Sequence, residues 1–232
     1  MEVIPAVLPQ SFADLTERVE RIAPYVDSVQ VDVLDGRFVP GVRSWPYLGR
    51  GDEEFSLLET EDIGLPQWDK VNYEADLMVL EPERHVEEWV RAGASRIVAH
   101  LESMGNPASF IRWFRETYGN PEESLVSVEL GFAISNDTPL DQLQPFISEI
   151  DFVQLMGIAR IGFQGEPFDE RVLGRISELR NAYSDLIISI DGGVNRETAP
   201  LLAERGANRL VSGSFLFANP HPGAAVDFLA NL

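Results

Sequence analysis

The sequence contains no cysteine, a single lysine (Lys70) and three histidines in 232 residues. Without cysteine, the chain has neither a disulfide nor a thiolate ligand for a metal. With one lysine, it has almost no candidate for Schiff-base chemistry or lysine-dependent decarboxylation. Three histidines restrict a zinc site further. A bound metal would therefore depend on histidine, carboxylate, amide or water ligands.

Positive charge is also scarce. Lysine and arginine together number 18 against 38 acidic residues, which gives a net charge of −20 and a pI of about 4.4. Nucleic acid and anionic membrane surfaces are excluded as partners by this charge. An anionic ligand would have to be bound by backbone N–H groups or by local arginines.

Long apolar runs are absent as well. No stretch of about 18 uninterrupted apolar residues occurs, so no membrane span is predicted. The N-terminus MEVIPAVLPQ lacks the basic segment and apolar run of a signal peptide. We therefore expect a cytoplasmic protein, and its 44% hydrophobic content is enough for a sizeable core.

Short apolar segments rich in Val, Ile and Leu alternate with segments of helical periodicity. The predicted strands are 3–8, 28–34, 71–79, 96–100, 125–132, 152–156, 186–190 and 209–212. The predicted helices are 12–25, 82–92, 107–118, 139–148, 169–183 and 197–205. Eight such units without a second compositional zone predict one (β/α)8 TIM barrel over residues 1–232.

Residues 41–70 interrupt this alternation. They are rich in glycine, proline and tryptophan, and only residues 53–60 have a helical pattern. Long irregular segments in compact domains are usually functional or mobile. Two interpretations stay open: a surface insertion, or a lid or subunit contact at the mouth of the barrel.

Polar side chains stand at or near the C-terminal ends of the predicted strands, where barrel enzymes place their catalytic groups. Gln30 and Asp32 are two apart on strand 2 and point to the same side, Asp76 lies on strand 3, and Asp191 directly follows strand 7. Such groups are costly inside apolar strands unless they are paired or functional. The structural alternative is loop capping by Asp32 and an ordinary Asp-Gly-Gly turn at Asp191.

Glycines cluster after strands 6, 7 and 8. The runs contain Gly162, Gly165, Gly193 and Gly213, and Ser214 follows the last of them. In barrels, the loops after strands 7 and 8 often bind phosphate through backbone N–H groups. The pattern therefore predicts an anion site, with three ordinary strand-to-helix turns as the alternative.

Six segments together resemble the ribulose-phosphate 3-epimerase family. They are VDVLDGRFVP (31–40), ADLMVLEPERHV (75–86), GFAISNDTPLD (131–141), LMGIARIGFQGEPF (155–168), IDGGVN (190–195) and VSGSFLF (211–217). They occur in the family's order and cover nearly the whole chain. The resemblance implies a barrel of the ribulose-phosphate-binding type. It also implies a homo-oligomer, because members of the family are commonly dimers or hexamers.

The resemblance also implies a reaction and its residues. Asp32 and Asp191 would remove and return the C3 proton of a ketose phosphate such as ribulose 5-phosphate, through an enediolate. Met78 would contact the substrate. The five residues of the phosphate site would be Gly162, Gly165, Gly193, Gly213 and Ser214. A divalent metal would be held by the two aspartates and two histidines.

This chain departs from the family at both histidines, where it has Gln30 and Asp76. Either Gln30, Asp32, Asp76 and Asp191 form an all-oxygen site, which favours Mg²⁺ or Mn²⁺ over Zn²⁺, or no metal binds. Accordingly, the alternative to an epimerase is a catalytically impaired barrel that binds a sugar phosphate as a sensor or assembly partner. A decarboxylase or synthase of the related families is the least favoured alternative, because strand 3 lacks the lysine that those enzymes have there.

Overall fold

Eight parallel strands, joined in sequence order, close into a barrel in the computed structural model, which describes residues 1–48, 51–119 and 127–232. The strands are β1 Glu2–Val7, β2 Ser28–Leu34, β3 Asn72–Met78, β4 Ala94–His100, β5 Glu129–Ile134, β6 Phe152–Met156, β7 Ile187–Asp191 and β8 Arg209–Ser212. Pairing of β8 with β1 closes the ring. The predicted (β/α)8 barrel is confirmed.

Helices surround the strands. They are α1 Phe12–Ile22, α2 Glu53–Glu59, α3 Val86–Arg91, α4 Pro107–Tyr118, α5 Arg171–Ala182, α6 Ala199–Arg205, α7 Ser214–Phe217 and α8 Pro222–Ala230. Short 3-10 turns occur at Ala23–Tyr25, Pro82–Arg84, Leu101–Ser103, Leu140–Gln142 and Gln144–Phe146. The strands are buried on both faces, β2 along its whole length, as parallel strands covered by helices require.

The predictions for 139–148 and 125–132 differ from the structure. The helix predicted at 139–148 is a pair of 3-10 turns, because Pro145 lacks the N–H of a continuing α-helix and its ring crowds the preceding turn. The strand predicted at 125–132 is described only from residue 127 onward, and β5 begins at Glu129 and continues to Ile134. Ser127 and Val128 thus lie before the strand, and Ala133 and Ile134 lie inside it.

The segment 41–70 contains α2, the second helix of the barrel. Residues 49 and 50 of this segment lie outside the described part of the chain. The Trp45 side chain is 1% exposed. Its ring lies 5.5 Å from that of Phe12, 5.6 Å from Phe55 and 6.4 Å from Trp89. Large aromatic side chains contribute strongly to core packing. The segment is therefore anchored in the core beside α1 and α3.

The described residues contain no helix that is both long and apolar enough to span a bilayer.

Candidate active site

A pocket at the C-terminal mouth of the barrel brings the predicted site residues together. Its floor includes Asp32, Asp191 and Met78. One wall contains the predicted phosphate-binding residues Gly162, Gly165, Gly193, Gly213 and Ser214. Gln30 and Asp76 are fully buried and do not line the pocket. The predicted residues thus separate into a group that faces the pocket and a pair that lies beneath it.

Asp32 is held at the end of β2 by a loop that folds back onto the strand. The Ser44 hydroxyl donates to the Asp32 carbonyl at 2.8 Å and accepts the Leu34 N–H at 2.9 Å. The Asp35 carboxylate accepts the N–H groups of Arg37 at 2.7 Å and Leu80 at 3.0 Å, which ties the loops after β2 and β3 together. These bonds fix the backbone from which the Asp32 side chain extends.

Asp191 is positioned by the turn that follows β7. The Gly157 N–H donates to the Asp191 carbonyl at 2.7 Å. Gly192 and Gly193 have φ values of 92° and 69°, a region that side chains with a Cβ rarely adopt. The Asp-Gly-Gly sequence therefore forms a tight turn and, at the same time, presents the Asp191 carboxylate to the pocket.

Three carboxylates converge at this point. Asp32, Asp76 and Asp191 each offer an oxygen, and these oxygens lie within 4.8 Å of one another. The side chains are almost removed from solvent, with exposures of 8% for Asp32, 0% for Asp76 and 9% for Asp191. So close a group of buried acids needs protons, hydrogen-bond donors or a cation to be stable.

Two buried glutamine amides supply donors to the three carboxylates. Gln30 Nε2 donates to Asp32 at 2.9 Å and to Asp191 at 3.2 Å. Gln154 Nε2 donates to Asp76 at 3.0 Å and to Asp191 at 3.4 Å. Within the described residues, the Oε1 atoms of both amides are buried without a hydrogen-bond partner. Each glutamine thus bridges two acids.

His100 on β4 completes the cluster. Its Nε2 lies 3.1 Å from Asp76 Oδ1, and the side chain is fully buried. Burial would lower the pKa of His100, but the Asp76 carboxylate raises this pKa above the usual histidine value. A positive imidazolium is thereby favoured among the three acids.

The two aspartates that face the pocket have raised pKa values. Burial raises the pKa of Asp191 to about 7, and the Asp76 charge adds to the effect. Burial and the charges of Asp191 and Asp76 hold the pKa of Asp32 well above its usual range. A carboxyl group with a pKa of about 7, as Asp191 has, can exchange protons near neutral pH.

The donor chemistry of the cluster fits a divalent cation. Asp32, Asp76 and Asp191 offer oxygen ligands, which hard cations prefer, and a cation would offset the repulsion among them. Gln30 presents its amide nitrogen to the carboxylates, so its oxygen would become a ligand only after the amide turns over. The three aspartates could therefore hold a metal.

An apolar cluster covers the mouth beside the acids. It contains Leu34, Val39 and Met78, with Phe38 and Ile161 packed against them. A Cβ on Gly162, whose φ is 79°, would lie 2.6 Å from Leu34 Cδ2, so only glycine lets the β6–α5 loop approach the end of β2 this closely. Apolar side chains therefore lie beside the aspartates at the mouth, where Met78 also lines the pocket.

The glycine wall leaves backbone donors free. The N–H groups of Gly193, Gly213 and Ser214 form no hydrogen bond with any described residue. A Cβ on Gly213 would lie 2.9 Å from Gln164 Nε2 and 3.1 Å from the Ala6 carbonyl oxygen. The wall therefore offers unsatisfied donors of the kind that bind anions.

Sequence reasoning missed Gln154, Gln164 and Glu166. Gln154 contacts two of the acids, and the other two line the pocket. Gln154 carries the same signal that singled out Gln30, a polar residue two positions from a pocket residue within an apolar strand. Glu166 has no comparable signal, because it lies in a loop.

The model of the ribulose-phosphate 3-epimerase family matches residues 2–217, which is nearly the whole chain and all eight strands. The chain belongs to this family. The resemblance predicted from six short segments is thus confirmed.

Curated relatives agree over the full barrel. The chain is 30% identical over 233 residues to the ribulose-phosphate 3-epimerase of Bacillus subtilis, with 98% of this chain and 97% of that protein covered. It is 32% identical over 220 residues to the chloroplastic ribulose-5-phosphate-3-epimerase of Arabidopsis thaliana, covering 93% and 71%. These relatives are isomerases.

Solved structures support the fold. A 3-hexulose-6-phosphate synthase matches with a TM-score of 0.68 and 18% identity, covering 100% of this chain and 99% of that one. KGPDC from Streptococcus mutans, solved in complex with D-R5P, matches with a TM-score of 0.67 and 14% identity, covering 99% and 95%. At these identities the likeness concerns the barrel alone.

Proposed function

We propose that this protein is an epimerase that inverts C3 of a pentulose phosphate such as ribulose 5-phosphate. The observation that carries the proposal is the pocket in which Asp32 and Asp191 share a floor and the glycine wall stands beside them. Membership of the epimerase family, with relatives named for this activity, agrees with it.

Asp32 and Asp191 act as the two proton-transferring groups. One carboxylate removes the C3 proton next to the C2 carbonyl, and the other carboxyl group returns a proton to the opposite face of the planar enediolate. The two roles require one ionised and one protonated acid, and three acids this close disfavour full ionisation. Met78 contacts the sugar from the apolar cluster.

The free N–H groups of the glycine wall bind the substrate phosphate, so that the sugar lies over the two aspartates. Gly162, Gly165, Gly193, Gly213 and Ser214 form this phosphate site. Backbone N–H groups can bind an anion even though no basic side chain is among the described residues that line the pocket.

Asp32, Asp76 and Asp191 would hold a divalent metal, and their oxygen ligands would favour Mg²⁺ or Mn²⁺ over Zn²⁺. When bound, such a cation supplies positive charge that stabilises the enediolate oxygens. The Gln30 and Gln154 amides keep the carboxylates in place, and His100 holds Asp76 below the pocket.

Proton exchange at C3 tests the proposal. The purified protein is incubated with ribulose 5-phosphate in D₂O, without metal and with Mg²⁺, Mn²⁺ or Zn²⁺, and C3 is followed by NMR. We expect exchange that is fastest with Mg²⁺ or Mn²⁺. Asp32→Asn and Asp191→Asn should each slow it by about 100-fold or more, the usual contribution of a general acid or base.

Asp227→Asn is the matched control, because it makes the same change at an exposed position on α8 and should leave exchange intact. An unchanged rate of exchange in either site variant would contradict the two-aspartate mechanism. Phosphate-ligand binding without exchange under any metal condition would instead identify the catalytically impaired, sugar-phosphate-binding barrel. The Gln30 amide, which bridges Asp32 and Asp191 at a position where the family has a histidine ligand, makes this second candidate specific.

A further inference from the structure

The pocket proposed to bind a phosphate dianion has an acidic lining. Among the described residues, the charged side chains that line it are Asp32, Asp191 and Glu166. Glu166 belongs to the same stretch of wall as Gly162 and Gly165, two of the residues proposed to bind the phosphate. A dianion that enters would be repelled by a carboxylate in this position unless a cation compensates it.

Arg160 is the cation attached to this wall. Its Nη2 donates to Glu166 Oε1 at 2.6 Å and its Nε to Glu166 Oε2 at 2.9 Å, a two-pronged pair. The guanidinium also lies 5.2 Å from the centre of the Phe163 ring. Both partners of Arg160 therefore line the pocket, although the arginine itself lies just outside it.

The Arg160 side chain is mostly exposed, whereas the backbone beside it is packed against the barrel. Its side chain is 68% exposed, whereas that of Glu166 is 14% exposed. The next residue, Ile161, packs against the apolar cluster at the mouth, and Gly162 lies against Leu34. The long side chain can thus rotate from a rigid backbone while Glu166 stays in the wall.

We propose that Arg160 is a phosphate-binding residue that leaves Glu166 for the substrate phosphate. The inference rests on the proposed function and deepens it, because it adds a side chain to a phosphate site otherwise built from backbone N–H groups. The planar guanidinium matches two phosphate oxygens as well as it matches a carboxylate. Glu166 holds the arginine while the pocket is empty, and the pair favours phosphorylated ketoses over unphosphorylated ones.

Binding of inorganic phosphate tests this assignment independently of turnover. Titration calorimetry at constant ionic strength compares the unchanged protein with Arg160→Ala, Glu166→Gln and the double variant. We expect Arg160→Ala to weaken phosphate binding about tenfold or more, as the loss of charge-assisted hydrogen bonds implies. Glu166→Gln should bind phosphate more tightly, because the competing carboxylate is removed.

The double variant separates contact from charge compensation. If Arg160 binds phosphate directly, its removal weakens binding about tenfold in the Glu166→Gln background as well. If Arg160 only neutralises Glu166, the double variant binds phosphate as tightly as Glu166→Gln, and the proposal is overturned. Unchanged binding in Arg160→Ala, or absence of phosphate binding by the unchanged protein, would overturn it too.

Arg84→Ala is the matched control, because it removes the same charge from another exposed arginine paired with a glutamate; it should bind phosphate normally. With ribulose 5-phosphate, Arg160→Ala should raise KM more than it lowers kcat, since Arg160 touches the phosphate and not C3. If the unchanged protein catalyses C3 exchange and Arg160→Ala has no effect on phosphate binding, the role of Arg160 is contradicted and the proposed function is not. No exchange by the unchanged protein counts against the proposed function.

Discussion

Burial of a polar side chain inside the barrel costs free energy, and Glu74 is the clearest case. It is 1% exposed, and both of its carboxyl oxygens lack a hydrogen-bond partner among the described residues. Burial raises the pKa of Glu74 to about 8, although the charges of Arg96 and Arg209 oppose the shift. The folded protein therefore keeps a proton on this group at neutral pH.

Glu74→Gln should make the stability of the protein less sensitive to a rise in pH from about 5 to 8. The unfolded chain ionises this carboxyl near its ordinary value of 4.5, and the folded chain does so at about 8. The stabilisation from the bound proton is therefore complete below pH 4.5 and is lost as the pH rises through 8. Relative to the unchanged protein, the variant should gain about 2–4 kcal/mol of unfolding free energy between about pH 5 and 8.

Urea denaturation across this pH range measures the effect. Glu204→Gln makes the same chemical change at an exposed position on α6 and serves as the control. Parallel stability curves for the unchanged protein and Glu74→Gln would show that Glu74 is not the group responsible.

Individual strands and helices show how far local pattern determines structure. The segments that form β2, β6 and β8 have the bounds that the sequence predicts, because buried parallel strands are short runs rich in apolar residues. The segment 139–148 has helical periodicity but forms 3-10 turns, since the proline within it outweighs the pattern. Periodicity thus located this segment between two strands, and Pro145 decided its conformation.

Gly131→Ala and Gly174→Ala should have opposite effects on stability. A Cβ on Gly131 in β5 would lie 2.3 Å from the buried Phe152 ring, whereas one on Gly174 in α5 meets nothing within 4 Å. We expect Gly131→Ala to destabilise by about 1–3 kcal/mol through overpacking. Gly174→Ala should stabilise by about 0.5–1 kcal/mol, because alanine is the better helix former.

The free energy of unfolding in urea measures both glycine variants. If Gly131→Ala is as stable as the unchanged protein, the strand and the Phe152 ring can move apart, and the tight contact is not a packing constraint. A gain from Gly174→Ala alongside it would show that the assay resolves changes of this size.

At the scale of the whole molecule, charged groups tie the barrel together at its N-terminal end. Arg209 on β8 donates to Glu2 on β1 at 2.8 Å and to Glu129 on β5 at 3.1 Å. Its guanidinium also lies 4.7 Å from the Phe152 ring. Arg96 on β4 contacts the same two glutamates, Glu2 at 2.8 Å and Glu129 at 3.3 Å. The network spans the seam at which the ring closes.

Arg209→Met should destabilise the barrel by about 3 kcal/mol, because it leaves Glu2 and Glu129 with one cation fewer in a partly buried network. Thermal and urea unfolding measure the loss. Arg84→Met is the comparison, since its exposed pair with Glu81 should contribute within about 0.5 kcal/mol. Equal effects of the two substitutions would contradict a role for the network in closure.

The sequence by itself determined the (β/α)8 barrel, the family and the strand ends at which Asp32 and Asp191 stand, because these follow from local periodicity and short motifs. Only the tertiary structure decided which side chains meet. Gln30 and Gln154 bridge the acids, His100 lies against Asp76, and Arg160 is held by Glu166. The physical reason is that such contacts depend on the stagger of strands around the ring and on loop packing at its mouth, which no local pattern records.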